Sequence, residues 1–224
     1  MPDRPYVLAS AACSLDGFLG DTSGRRLVLS NEADLDRVDE VRAGVDAILV
    51  GAGTLRADDP RLLVRSGARR RRRVDQGEPA SPTRVVVSTA GAVDSAAAFF
   101  TVGDTERLIY LPDAGVPAAR RRLGAVAEVI GAGDPLDPYR LLADLAGRGV
   151  RRLLVEGGTG VHTLFLTADL VDELHLVLAP FFVGEEAAPR FVRPGRFPPG
   201  PARPMRLVEA RPINNLVLLR YLRD

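Results

Sequence analysis

Short apolar runs alternate along the chain with longer polar or amphipathic stretches. Tyr6–Ala12, Asp46–Val50, Arg84–Ser88, Arg107–Leu111, Ala127–Ile130 and Leu153–Val155 have the length and β-branched content of buried strands. Ser30 or Asn31 is placed to cap a helix from about Glu32 to Ala43, which has acidic residues in its first turn and Val38 and Val41 as its inner edge. Ala114–Gly124 also reads as helix. So does a stretch opened by Asp137-Pro138 and stopped by Gly147 and Gly149. Arg25–Leu29 reads as a short extended piece and Arg193–Pro204 as a proline-rich surface excursion. Asp172–Ala179, Met205–Ala210 and Leu216–Tyr221 read as late strands, the last two joined by Pro212–Asn215 as a hairpin loop. Strand and helix alternate and then finish antiparallel. That pattern predicts one α/β domain over residues 1–224, with a largely parallel sheet and a C-terminal antiparallel hairpin.

The run Leu153–Leu166 carries the first chemical signal. A short strand meets Gly157, Gly158 and Gly160, after which Val161, Leu164 and Phe165 recur at helical spacing and Thr159 is placed to cap. A strand, a glycine turn and a helix start make an anion site, because the first helical N–H groups lack partners and the macrodipole favours negative charge. Glu156 stands at the carboxyl end of the strand, where open α/β sheets place their ligands. The pattern is not the dinucleotide fingerprint, since Thr163 stands where its third glycine belongs, and no Gly-Lys-Ser/Thr marks a P-loop. An ordinary strand-to-helix turn has the same appearance.

Composition narrows the classes. The 224 residues are 46% hydrophobic and 26% charged, as in a folded protein with a sizeable core. No apolar run is long enough to cross a bilayer and no signal-peptide pattern opens the chain, so the expectation is a cytoplasmic protein without a membrane partner. Cys13 is alone, which excludes an internal disulfide. With only His162 and His175 beside it, no zinc site is expected. A net charge of +1 argues against a nucleic-acid partner. All 30 basic residues are arginine, so side-chain Schiff-base chemistry is excluded and any side-chain cation on a phosphate is a guanidinium.

Three polar stretches remain. Ser14-Leu15-Asp16-Gly17 reads as a turn, in which Asp16 either fixes the backbone or meets a ligand. Arg56-Ala57-Asp58-Asp59-Pro60-Arg61, leading to Arg65, reads as a rigid polar loop, either solvated or functional. Arg69–Arg73 is an unbroken basic run in a composition break from Ser66 to Pro82. It reads as a solvated mobile loop or helix end, without aromatics for base stacking.

Together these motifs resemble a known family. Ser14-Leu15-Asp16-Gly17, Ala47–Gly51 leading to Thr54, Ala57-Asp58-Asp59-Pro60-Arg61-Leu62 with Arg65, Val155-Glu156-Gly157-Gly158, and Leu170–Leu174 with Ala179-Pro180 and Gly184 are similar to the reductase domain of bacterial riboflavin biosynthesis, from about Tyr6 to Tyr221. The resemblance implies a dihydrofolate-reductase-like α/β fold, with a central mostly parallel sheet flanked by helices. It implies NADPH-dependent reduction of 5-amino-6-(5-phosphoribosylamino)uracil to its ribitylamino form, by hydride transfer to ribose C1′. Its cofactor contacts fall on Ala12, Thr54, Asp58, Ser88, Gly158, Thr159, Gly160, Val161, His162, Thr163 and Leu164. Its substrate contacts fall on Arg42, Leu62, Arg65 and Glu156, with Glu156 and Asp58 as the catalytic carboxylates.

These positions agree with the residue chemistry. Arg42 and Arg65 suit a 5′-phosphate clamp, Glu156 suits ribose hydroxyls or a developing positive charge, and the cofactor carries the hydride chemistry. The side chains of His162 and His175 read as structural. The chain departs from the family at Arg25-Arg26, usually a small polar contact to substrate, and at Leu27-Val28, usually an aromatic on the cofactor. Cys13 cannot supply a zinc-deaminase signature, so deamination is expected from a separate protein. A same-fold NADPH reductase of dihydrofolate or another heterocycle, and a non-catalytic nucleotide-binding protein, stand as alternatives. A homodimer is expected from the resemblance.

Overall fold

The computed structural model describes residues 4–224, which divide into two compact units. The first unit is Asp39–Leu154 with the residues up to Pro5, and the second is Tyr6–Val38 with Val155–Asp224. The chain passes between them before the first strand, within one helix and near the end of one strand.

Strands β2 (Ala47–Gly51), β3 (Thr83–Val87), β4 (Arg107–Leu111), β5 (Glu128–Gly131) and β6 (Arg152–Val155) lie in the order β5-β4-β3-β2-β6. The pairs β2–β3, β3–β4 and β4–β5 are parallel. Each is a near-continuous apolar run, because a parallel strand is covered on both faces. Ile48, Leu49, Val85, Val86 and Ile109 are fully buried. Asp46 helps to join β6: its carboxylate accepts from the Arg151 and Arg152 amides at 2.7 and 2.8 Å.

In the second unit, β1 (Tyr6–Ser14), β7 (Glu173–Ala179), β9 (Leu216–Leu222) and β8 (Arg206–Ile213) lie in the order β1-β7-β9-β8. The first pair is parallel and the other two are antiparallel. The predicted mostly parallel sheet with an antiparallel finish is therefore what forms. Leu29, Val177, Ile213, Leu216 and Leu218 make the core of this end, with Ala12 and Leu27 packed against it.

Helix α1 (Glu32–Ala43) begins where expected, with Asn31 Oδ1 accepting from the Asp34 amide at 2.9 Å. Its inner edge differs from the prediction. Val38 and Val41 are only half-buried, and the deeply buried positions are Asp34 and Asp39. Helix α5 (Val116–Leu123) follows a 3-10 turn at Asp113–Gly115, and α6 (Pro138–Gly147) is capped by Asp137. Arg25–Leu29 joins no strand ladder, but Leu27 and Leu29 turn into the core while Val28 between them faces outward, the alternation of an extended piece.

Three helices arise where the sequence predicts a polar loop, a mobile loop or helix end, and no element at all, respectively. They are α2 (Ala52–Asp58), α3 (Gly67–Asp75) and α4 (Ala98–Thr101). The arginine run is the body of α3, and Ser66 caps it by accepting from the Arg69 amide. Arg69 pairs with Asp39 and Glu40, and Arg72 pairs with Glu40. Arg73 is fully interior: it donates to the carbonyls of Ala43, Val45 and Pro79 at 2.8–3.1 Å and pairs with Glu78. Only Arg70 and Arg71 point outward without an ion partner among the described residues.

Removing the Arg73 side chain strands three buried carbonyls. Arg73→Ala is expected to destabilise the fold by about 2–4 kcal/mol in urea unfolding, while Arg70→Ala and Arg71→Ala change it little. Equal small effects at all three positions would return the run to a solvated surface.

Candidate active site

In the first unit the loop after α2 is fixed from several sides. Asp58 ends α2, and Asp59 caps it in the left-handed conformation with its amide on the Leu55 carbonyl at 3.1 Å. Leu62, three residues on, is also left-handed at φ 52° and fully buried. A left-handed side-chain-bearing residue costs about 1–2 kcal/mol, so the surroundings must hold this turn. The Arg65 and Ser66 amides donate to the Asp39 carboxylate at 2.6 and 3.0 Å, and Arg69 adds a contact at 3.0 Å. Burial works to raise the Asp39 pKa, but these three donors outweigh it and hold the carboxyl below the usual range. Arg42 lies one turn further along α1 and donates to the Leu63 carbonyl at 3.3 Å.

Arg42 thus meets the short stretch, residues 63–65, that carries Arg65, whose Nε lies 3.9 Å from Asp39 Oδ1. Thr54 lies in α2. Ser88 follows β3, buried, with its amide on the Tyr110 carbonyl at 2.9 Å.

In the second unit, Glu156 follows β6 and is half-buried. Gly157 is buried at φ 112°, where only glycine is at ease, and the Gly157–Gly158 peptide is cis. Helix α7 (Thr159–Thr167) then begins, with Gly158 as its cap residue and no side-chain cap. The predicted Thr159 cap does not form: Thr159 is the first helical residue, and its hydroxyl donates to the Arg190 carbonyl at 2.6 Å. The Gly158 carbonyl accepts from both Val161 and His162, leaving the Thr159 and Gly160 amides without acceptors inside the helix. Gly160 is exposed, and the Arg193 guanidinium lies 4.0 Å from where its Cβ would stand. Amide donors, a helix start and a nearby guanidinium form a donor set that fits a pyrophosphate. Thr163 accepts from the Arg193 amide, Leu164 is half-buried, and Val161 packs inward.

Within the predicted cradle, His162 offers no side chain to solvent. Its ring is 1% exposed, lies against Phe191, and has both nitrogens buried without a hydrogen-bond partner. Ala12 lies half-buried on β1, paired with Val177. Asp16 proves to be the turn-fixing residue. It accepts from the Ser14 hydroxyl and from the Val183 and Gly184 amides, which outweigh burial and keep its carboxyl below the usual range.

Sequence reasoning missed Asp39, which seats the backbone of Arg65. Its signal was present only as one acidic residue among several on α1.

The sequence model of the RibD C-terminal domain family matches residues 5–219, and the chain belongs to that family. A protein of Archaeoglobus fulgidus named 2,5-diamino-6-ribosylamino-4(3H)-pyrimidinone 5′-phosphate reductase is 39% identical, over 83% of this chain and 85% of its own length. The riboflavin biosynthesis protein RibD of Bacillus amyloliquefaciens is 31% identical over 84% of this chain but only 49% of its own. Among solved structures, a pyrimidine reductase-like protein of Corynebacterium diphtheriae shares the fold with a TM-score of 0.82 at 24% identity, over 98% of this chain and 92% of its own. Dihydrofolate reductase of Enterococcus faecalis shares it more distantly, with a TM-score of 0.52 at 14% identity, over 98% and 96%.

Burial pushes the His162 ring down to about 4 from its ordinary 6.5. The unfolded chain therefore takes up this proton at higher pH than the folded one. Stability is whole above pH 6.5 and falls as pH drops toward 4, by about 1.4 kcal/mol per pH unit and about 3 in total from this group. His162→Phe is expected to remove that component from the difference in urea stability between pH 7 and pH 5. An unchanged difference would mean that the ring titrates normally.

Proposed function

We propose that the chain is an NADPH-dependent reductase of a ribosylaminopyrimidine 5′-phosphate, acting in riboflavin biosynthesis. The observation that carries this reading is the pairing of Arg42 and Arg65 on residues 63–65, with Arg65 seated by the buried Asp39. In a lysine-free chain, a guanidinium held on the Leu63 carbonyl and a second one carried two residues along the same rigid loop suit a 5′-phosphate.

NADPH, when bound, supplies the hydride for ribose C1′. The chain's own residues bind and orient. The α7 start within Gly158–Leu164 receives the pyrophosphate through the Thr159 and Gly160 amides, with the buried His162 shaping the turn rather than offering a donor. Ala12, Thr54, Asp58 and Ser88 hold other parts of the cofactor, Asp58 by hydrogen bonds to its amide or ribose groups. Leu62 bounds the substrate. Glu156 holds ribose hydroxyls and stabilises positive charge as the sugar ring opens. Positioning of this kind supplies much of the barrier reduction in a hydride transfer.

The base is narrowed by the relatives. Those that this chain matches along most of their own length are named for the 2,5-diaminopyrimidinone, so that base is tested first and the uracil second. A cytoplasmic homodimer belongs to the same reading, as the family resemblance implies.

Loss of NADPH absorbance should be followed with the diaminopyrimidinone phosphate, the uracil phosphate and dihydrofolate side by side. Turnover of either ribosylamino compound and not dihydrofolate is the expected result. Turnover of dihydrofolate alone would reject the assignment. Arg65→Ala should raise substrate KM by about tenfold or more, the worth of a charged hydrogen bond, without changing the NADPH Kd. Equal weakening of both ligands would move Arg65 out of the clamp. Glu156→Gln should lower kcat by roughly tenfold to a hundredfold with NADPH binding intact, as for loss of one preorganised electrostatic group. A normal kcat would remove Glu156 from the reacting centre.

A further inference from the structure

Among the described residues, Arg84 is the largest fully buried side chain, and no carboxylate touches it. Its hydrogen bonds go to main chain and one hydroxyl. It donates to the Phe99 and Val102 carbonyls at 2.7 Å, to Thr105 Oγ1 at 3.0 Å and to the Arg61 carbonyl at 3.4 Å. Burying a guanidinium among carbonyls alone is costly, so a role for it must lie in what those carbonyls belong to. Four belong to Phe99, Val102, Gly103 and Thr105, and the fifth belongs to Arg61, inside the strained turn that leads to Leu62.

The same segment grips the turn in two more places. The Ala98 amide donates to Asp59 Oδ1 at 2.7 Å. Gly103 faces the Leu63 side chain so closely that a Cβ there would lie 3.1 Å from it. Thus both left-handed residues, Asp59 and Leu62, lie in or beside a backbone stretch tied to residues 98–105, and Arg84 ties that segment down.

We propose that Arg84 and the segment 98–105 form a platform that holds the Asp59–Leu62 turn in its strained conformation, making Arg84 and Asp59 positioning residues for Leu62 and Arg65. Neither needs to touch a ligand. The consequence for catalysis rests on the reading that Leu62 and Arg65 bind substrate. A relaxed turn would move both and weaken substrate binding, while the pyrophosphate cradle on α7 keeps its own supports.

Arg84→Met tests this directly but removes so many partners that the chain may not fold. A milder break attacks one hydrogen bond from both ends. Ala98→Pro deletes the amide donor at the first position of α4, where proline is at ease, and Ala97 at φ −57° and ψ 149° already suits a following proline. Asp59→Ala deletes the acceptor, whereas Asp59→Asn keeps an acceptor oxygen and tolerates the left-handed conformation.

Amide hydrogen exchange over residues 62–66 reads the platform without any substrate. Ala98→Pro and Asp59→Ala are expected to speed exchange there at least tenfold, and Asp59→Asn to leave it near wild type. In turnover, the first two should raise substrate KM severalfold with NADPH Kd unchanged, and Asp59→Asn should restore KM. Unchanged exchange in folded Ala98→Pro and Asp59→Ala overturns the platform. Faster exchange with an unchanged KM, in a wild type that turns the substrate over, overturns its positioning role. If the wild type turns over neither ribosylamino compound, the functional reading fails by itself, and the exchange result still decides whether the platform exists.

Discussion

The Asp39 carboxylate is the constraint on which the first unit's chemistry depends. It is buried on α1 and takes two backbone amides and the Arg69 guanidinium, with the Arg65 guanidinium at 3.9 Å, all from residues 65–69. A buried carboxylate is tolerable only when its lone pairs are filled, so the backbone at Arg65 and Ser66 has little freedom to move. Ser66 in turn caps α3, and α3 delivers Arg73 to the carbonyls of Ala43 and Val45 behind α1. One ionised group thereby sets the end of the loop, the start of a helix and the depth of a buried arginine. Arg42, three residues after Asp39 on the same helix, meets the loop one residue before Val64.

That arrangement also explains what the sequence could not reveal. The strands were legible because a covered parallel strand must be apolar throughout, and Ala47–Val50 and Val85–Val87 carry no competing signal. Helices α2, α3 and α4 were not. The position α3 buries is Arg73, so the apolar period that betrays a helix is written there in a charged residue, while α2 and α4 span 7 and 4 residues, too short to show a period. Only the distant partners of Arg73 make that burial tolerable, and partner identity is not a local property. Within the candidate site the glycine turn was visible, because Gly157 needs φ 112° and a strand precedes it. The Thr159 cap was misread because its hydroxyl finds the Arg190 carbonyl, which is 31 residues away.

The absence of lysine gives the buried polar groups a common style. A guanidinium presents several donors in a fixed plane, so a single arginine can satisfy acceptors from several segments at once. In the second unit, Arg220 reaches Glu173 at 2.7 Å and Glu209 at 2.8 Å, and also contacts the His175 ring. Glu173, bonded as well by His175 and Tyr6, is held down to about 2 by these donors against the opposing effect of burial. Arg37 donates to His175 Nδ1 at 3.2 Å, which fixes that nitrogen as the acceptor because a guanidinium has no lone pair to offer. The network binds β1, β7 and β9 to the start of α1, so this end of the protein is held by charge as much as by Leu216 and Leu218.

Strain and burial then have a common explanation in the loop from Asp59 to Arg65. Two left-handed residues within four positions would relax in an isolated peptide, and a solvated loop would have no reason to bury Leu62 completely. A segment meant only to connect α2 to α3 has many unstrained routes available. The route taken sets the Arg65 amide on a buried carboxylate and the Leu63 carbonyl on Arg42, which fixes two guanidinium-bearing segments before any ligand arrives. On the proposed reading, a preordered clamp would forfeit little conformational entropy when a phosphate binds, and it would confer more on orientation than a mobile pair of arginines. Transfer of hydride to one sugar carbon would ask for that kind of order, since the protein would contribute position and the cofactor the electrons.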